Sequence, residues 1–258
     1  MYQTLLTQIK QKVAIISLNR PEHYNTFTIA MAEELNQCLE AMEENDEVRV
    51  VLIRAMGKNF CTGIDVNYVD GKSQEEYLQW VRLMEKMNTT IASMGKPVIA
   101  SVKGLALANG IGLVAACDLA LAADNARFGA TAINIGLFCM GPAVPLYKSL
   151  GRKKTLELIL TGEIISAKKA LEFGLINKIF LTEKLEEKSF EYALKLAEKS
   201  PTAMQLGKKS FYQMEDQPFA QALEMTNHHF AELCATEEGQ EGVQAFLEKR
   251  QPSWKEER

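Results

Sequence analysis

Residues 96–129, KPVIASVKGLALANGIGLVAACDLALAADNARFG, limit the possible folds of this chain more than any other stretch. Pro97 to Val102 form an apolar, β-branched run, so they read as a strand. Gly104 and residues 106–112 carry little side-chain bulk, and residues 113–117 open an apolar helix whose start points back into that turn. Amide N–H groups at a helix start lack intrahelical partners and attract negative charge. A second segment, residues 57–66 (GKNFCTGIDV), sets another glycine turn directly after a strand-like run at 48–53. Two such turns facing each other aim two N–H groups at one oxygen, the arrangement that stabilises an enolate or a tetrahedral anion.

The chain has 258 residues, 47% of them hydrophobic, enough for one domain with its own core and a helical appendage. The formal net charge is −4 and no basic stripe is present, so no nucleic-acid partner is expected. Cys38, Cys61, Cys117, Cys139 and Cys234 show neither a CxxC pattern nor metal-ligand spacing. They read as reduced thiols with no metal. The first twelve residues are polar and strand-like, with no signal or transit pattern, and no apolar run reaches the roughly 18 to 20 residues that span a bilayer. The expectation is a cytoplasmic protein with no membrane partner.

Strands are expected at 13–19, 48–53, 98–102 and 119–122, with crossover helices between them, which implies mainly parallel pairing and an α/β class. A helix at 29–43, capped by Thr28, places Met31, Leu35, Leu39 and Met42 on one face. A second helix at 75–92 follows a polar start at Asp70, Gly71 and Ser73 and carries Tyr77, Val81, Met84, Met87 and Ile91 at helical spacing, roofing the first glycine turn. Beyond Gly151 the pattern is almost wholly helical, with helices at 166–172 and 185–199.

Several motifs in fixed order then point to a family. They are Asn19-Arg20-Pro21 with Asn25, Phe60-Cys61-Thr62-Gly63-Ile64-Asp65, Lys96-Pro97-Val98-Ile99-Ala100 leading to Gly104, Cys117-Asp118, Phe128-Gly129, Thr161-Gly162, Gly174-Leu175-Ile176, and the tail from Glu241 to Arg250. On these the chain resembles the crotonase superfamily, the enoyl-CoA hydratase/isomerase family, over nearly its whole length. Two segments, Gly136-Leu137-Phe138-Cys139 and Gly239-Gln240-Glu241-Gly242, point to one branch of it. The resemblance implies a crotonase (ClpP-like) spiral ββα core over 1–200 and a helical C-terminal trimerisation and site-closing region over 201–258. It also implies a homotrimer or hexamer, an acyl-CoA thioester as ligand, and no cofactor other than the CoA of the substrate.

Carried over by position, the backbone oxyanion donors fall on Thr62 and Asn109. Cys61, Gly63, Ile64, Asp65, Gly110, Thr131, Ala132 and Cys139 fall around the substrate. Lys58 and Lys249 are candidates for the CoA phosphates, with Lys249 commonly reaching a neighbouring subunit's site. Asp65 reads as a loop-orienting residue, Cys139 as a buried inert thiol, and His228 and His229 as surface or subunit-contact residues. Three departures stand out. The family usually has glycine where this chain has Asn109, and its two catalytic glutamates align with Gly112 and Ala132, while a further carboxylate position falls near Met140. General acid or base assistance is worth about 10² to 10⁴ in rate, so ordinary hydratase activity is expected to be weak or absent. Decarboxylation of a malonyl-type or glutaconyl-type thioester, which forms an enolate without a base, is one alternative. A non-catalytic acyl-CoA-binding module is another.

Overall fold

The strand runs at 13–18 and 50–55 are apolar at every position but two, Ser17 and Arg54, because the sheet they form is covered on both faces. A computed structural model of the chain describes residues 2–68 and 71–255, so Asp70 and the last three residues of the 201–258 region lie outside it. The main sheet has six strands in the order β1 (Leu5–Lys10), β2 (Val13–Leu18), β3 (Val50–Ala55), β4 (Val98–Val102), β6 (Leu119–Ala123) and β9 (Lys178–Phe180). Every pairing in it is parallel except the β1/β2 hairpin. A smaller sheet joins β5 (Leu105–Leu107), β7 (Arg127–Gly129) and β8 (Ile164–Ser166).

Alternation along the strands divides the interior into two cores. Ala14, Ile16, Val51, Ile53, Val98 and Ala100 face the larger one, with α1 (Ile29–Glu44), α2 (Gln74–Ser93), α3 (Asn109–Ala116), α4 (Met140–Thr161) and α5 (Ala167–Phe173). Val13, Ile15, Val50, Leu52 and Ile99 face the smaller one, closed by Leu185, Ala193 and Ala197 of α6 (Leu185–Ala197).

Thr28 caps α1 through its hydroxyl, which accepts from Met31 N–H at 3.2 Å. Ser73 and Glu76 form a reciprocal capping box at the start of α2. The α2 stripe differs from the expected one: Trp80 is buried with Met84, Met87 and Ile91, whereas Val81 is exposed. The helix after the small-residue turn also begins earlier than expected, at Asn109, so the turn is itself the first turn of α3. Past Gly151, where α4 kinks at a φ of 72°, two short strands interrupt the helices, and β9 completes the edge of the main sheet.

Three helices follow, α7 (Pro201–Met214), α8 (Phe219–Ala235) and α9 (Glu237–Glu248). The first is fixed to the core by polar contacts at Asp118, which accepts from Lys208 Nζ at 2.7 Å, Tyr212 Oη at 2.9 Å and Val98 N–H at 2.7 Å.

Candidate active site

Two loops before and after β3 are tied together by one buried amide. Asn25 Oδ1 accepts from Arg20 N–H at 2.8 Å, and its Nδ2 donates to the carbonyls of Met56 at 3.0 Å and Asn59 at 2.9 Å. Residues 61–65 then run between two neighbours. On one side Phe27 N–H donates to Gly63 O and Asp65 N–H to Phe27 O, each at 2.8 Å. On the other, Cys61 N–H donates to Leu105 O at 3.1 Å and Leu107 N–H to Cys61 O at 2.9 Å.

This stitching corrects one expectation. Thr62 N–H donates to Tyr24 O at 3.2 Å and is therefore already engaged. In the parallel bridge between Phe27 and Ile64, the Ile64 amide points away from residue 27, and it has no acceptor among the described residues. The peptide that carries it lies beside α3, since a side-chain carbon on Gly63 would sit 3.9 Å from Asn109 N.

α3 reaches that position through two backbone features. Ala108, just before it, adopts φ 49° and ψ −115°, a strained conformation for a residue with a side chain, and is held there by its N–H on Gly129 O at 2.8 Å. Gly110 lies against the Cys61 carbonyl so closely that a Cβ would be 2.1 Å from the oxygen. The Asn109 N–H, at the first position of the helix, has no intrahelical acceptor. Ile64 and Asn109 therefore bring together two open backbone donors, one from each glycine turn.

The positions of the absent glutamates are filled by other groups. A Cβ on Gly112 would lie 3.0 Å from Pro142 Cβ, so the α4 proline occupies the space in front of it. Ala132 lies half-buried in a short 3-10 turn, Thr131–Ile135, next to half-buried Thr131, and the Cys139 thiol sits beside its backbone. Cys139 is buried, and burial, with a smaller contribution from nearby Glu85, pushes its thiol pKa up. Burial likewise pushes the Cys61 thiol up to about 12. Neither is a ready nucleophile. Met140 is 74% exposed.

A carboxyl group does reach this place, from an element where the sequence did not mark one. Glu85 of α2 accepts Asn109 Nδ2 on Oε1 and Asn88 Nδ2 on Oε2, both at 2.7 Å. It fits only because Gly141 has no side chain: a Cβ there would lie 2.2 Å from the carboxyl. Burial pushes the Glu85 pKa up, and the two amides pull it partly back. In the sequence, the one trace of this group is the spacing of Glu85 and Asn88, three apart and each directly following a buried methionine, Met84 and Met87.

The remaining candidates are more scattered. Asp65 accepts from Asn67 N–H at 3.2 Å and Nδ2 at 2.8 Å and lies 3.5 Å from the Arg20 guanidinium, so it orients the loop. Lys58 is exposed beside that loop. Lys249 ends α9 with a φ of 56° and is also exposed. His229 Nδ1 pairs with Ser210 Oγ at 2.8 Å, and His228 lies 3.2 Å from Glu224 on an exposed helix face. Among the described residues no cluster of His, Cys, Asp or Glu is placed to hold a metal, and no helix is long and apolar enough to cross a membrane.

Paired turns of this kind on a two-core spiral of parallel strands define the crotonase class, and the chain belongs to the enoyl-CoA hydratase/isomerase family, whose sequence profile matches residues 8–257. It is 35% identical over 254 residues to enoyl-CoA hydratase domain-containing protein 3, mitochondrial, of Xenopus laevis, covering 97% of this chain and 86% of that one. The crystal structure of human enoyl coenzyme A hydratase domain-containing protein 3 superposes with a TM-score of 0.94 at 34% identity, covering 98% of this chain and all of the other. An enoyl-CoA hydratase from Mycobacterium smegmatis superposes equally well, at 0.94 and 35% identity over 97% and 98% of the two chains.

Proposed function

We propose that this protein is an acyl-CoA-binding enzyme that polarises a CoA thioester carbonyl through the N–H groups of Ile64 and Asn109 and acts by way of the thioester enolate. The observation that carries this reading is the pair of open backbone donors on adjoining turns, fixed before any ligand arrives by Asn25, Gly63 and Gly110. Preorganised donors stabilise developing negative charge without having to reorient during the reaction. Cys61, Gly63, Asp65, Gly110, Thr131 and Ala132 surround the acyl and pantetheine path, and the CoA phosphates meet Lys58 and, across a subunit boundary, Lys249. The enzyme carries no cofactor of its own.

Two readouts test this. Millimolar crotonyl-CoA is expected to raise the melting temperature, because a ligand that binds only the folded state stabilises it. A conjugated aryl-enoyl-CoA chromophore is expected to shift its absorption to the red on binding, reporting carbonyl polarisation. No thermal shift with any CoA thioester, or binding with an unshifted spectrum, defeats the reading.

The proposed assembly is a homotrimer or a hexamer built from two trimers. Its support is the apolar surface of α8 and the α9 end: Phe219, Phe230, Phe246 and Leu247 are 85%, 67%, 81% and 72% exposed in a single chain. Light scattering at micromolar concentration is expected to give three or six times the chain mass, and a monomer would count against both the assembly and a Lys249 contribution in trans.

A further inference from the structure

Four features converge on the Glu85 carboxyl. One oxygen is bonded to the side chain of Asn109, the residue whose backbone N–H is one of the two open donors. Gly141 leaves the carboxyl its space, and the start of α4 puts Pro142 over Gly112, where the family's first glutamate would project. Cys139, buried beside the Ala132 backbone at the second absent glutamate, is close enough to the carboxyl for its charge to help push the thiol pKa up. The fourth feature is Asn88. Its Nδ2 donates to Glu85 Oε2, while its Oδ1 is buried and has no hydrogen-bond partner among the described residues. Turning that amide over would present Oδ1 to a protonated Glu85 in place of Nδ2. Both protonation states of Glu85 then have a partner in the same residue, which a group that takes up and returns a proton requires.

We infer that Glu85, supplied by the roof helix α2, is the catalytic carboxylate of this protein, acting as both base and acid in place of the two glutamates missing at Gly112 and Ala132. The inference rests on the thioester-polarising site proposed above. In hydration of a 2-enoyl-CoA, water attacks C3 and gives one proton to Glu85 as the new O–C3 bond forms. The C2=C3 electron pair moves to form the C1=C2 enolate, whose oxygen is held by the Ile64 and Asn109 N–H groups. Glu85 then returns the proton to C2, the C1 carbonyl is restored, and the carboxylate is regenerated. In double-bond isomerisation of a 3-enoyl-CoA the same oxygen removes a C2 proton and delivers it to C4.

Among the described residues, the elements packed around Glu85 bring no competing charge. α3 contributes no titratable group, nor does the Thr131–Ile135 turn, and residues 140–146 at the start of α4 contribute none either. Cys139 is the titratable side chain that faces the carboxyl, and burial keeps it a thiol. On α2 itself Arg82 is exposed and Lys86 is paired with Glu40 of α1 at 2.9 Å, while Glu43 of α1 is 3.7 Å from Lys209 of α7.

The experiment measures crotonyl-CoA hydration and 3-butenoyl-CoA isomerisation by the full chain and by Glu85→Gln, alongside the thermal shift and the red shift of the bound chromophore. The variant is expected to lose at least about 10²-fold in kcat, by the usual size of an acid/base contribution, while both binding readouts persist. In a second variant, Asn88→Ala, loss of the amide that favours the charged carboxylate should move the acidic limb of the kcat profile to higher pH. That limb supplies the test if Glu85→Gln does not fold. Glu85→Gln retaining kcat within about 5-fold overturns the inference, as does an acidic limb unmoved in Asn88→Ala. Wild-type protein that binds and polarises the thioester yet turns over neither substrate also overturns it, leaving the proposed site standing. Loss of the binding readouts in the wild type would instead defeat the proposed function.

Discussion

Gly110→Ala is expected to disable the site even where the chain still folds. The new methyl carbon would sit 2.1 Å from the Cys61 carbonyl oxygen and 2.9 Å from its carbon, both backbone atoms that cannot rotate aside. α3 must retreat, and the Asn109 N–H goes with it. Overpacking of this kind costs about 1–3 kcal/mol, and more where backbone meets backbone, so the urea midpoint should fall clearly. Loss of one oxyanion donor costs about 10²–10³ in kcat, and the red shift of the bound chromophore should shrink in parallel. A variant with unchanged midpoint and spectrum would show that α3 does not need its close approach to residue 61.

Asn25→Ala is expected to be nearly as damaging, by a different route. It strands the Met56 and Asn59 carbonyls and the Arg20 N–H around a buried side chain, and each buried polar group left unpaired costs about 1–3 kcal/mol. Some relaxation is inevitable, so a total of roughly 3–5 kcal/mol is expected. Asn25 has a φ of 55°, so backbone strain in an alanine there is a second source of destabilisation beside the lost hydrogen bonds. Asn25→Gly separates the two, because glycine accepts that conformation freely. If hydrogen bonding dominates, Asn25→Gly loses nearly as much as Asn25→Ala in denaturant titrations at matched protein concentration. Near-native stability in Asn25→Gly would assign the effect to the backbone.

Much of the fold was legible because its causes are local. Continuous apolar runs at 50–53 and 98–102 can be buried on both faces only in a covered parallel sheet, and Thr28 and Ser73 mark helix starts by capping chemistry that operates within three residues. The site was legible in outline, through its glycine turns; one amide was misread and one carboxyl group went unmarked, and both depend on distant partners. Thr62 and Ile64 are equivalent as sequence; the Tyr24 carbonyl, delivered by a separate loop, decides which amide stays open. Glu85 is one of three glutamates on α2, with Glu75 and Glu76, and nothing in its local pattern separates a solvated carboxylate from one folded over Gly141.

The packing of Pro142 against Gly112 bears on which side chains position 112 can accept. A glutamate restored at position 112 would have to be built with its first carbon 3.0 to 3.2 Å from three atoms of the proline, including its backbone Cα. That step requires the start of α4 to give by a few tenths of an ångström, or residue 142 to be replaced as well. Replacing Pro142 first brings no catalytic gain, since it only opens an empty space over a glycine. The two positions are thus coupled: the space for a side chain at 112 is set by the residue at 142. A chain packed this way does not gain a carboxylate at position 112 by one substitution unless the start of α4 moves as well.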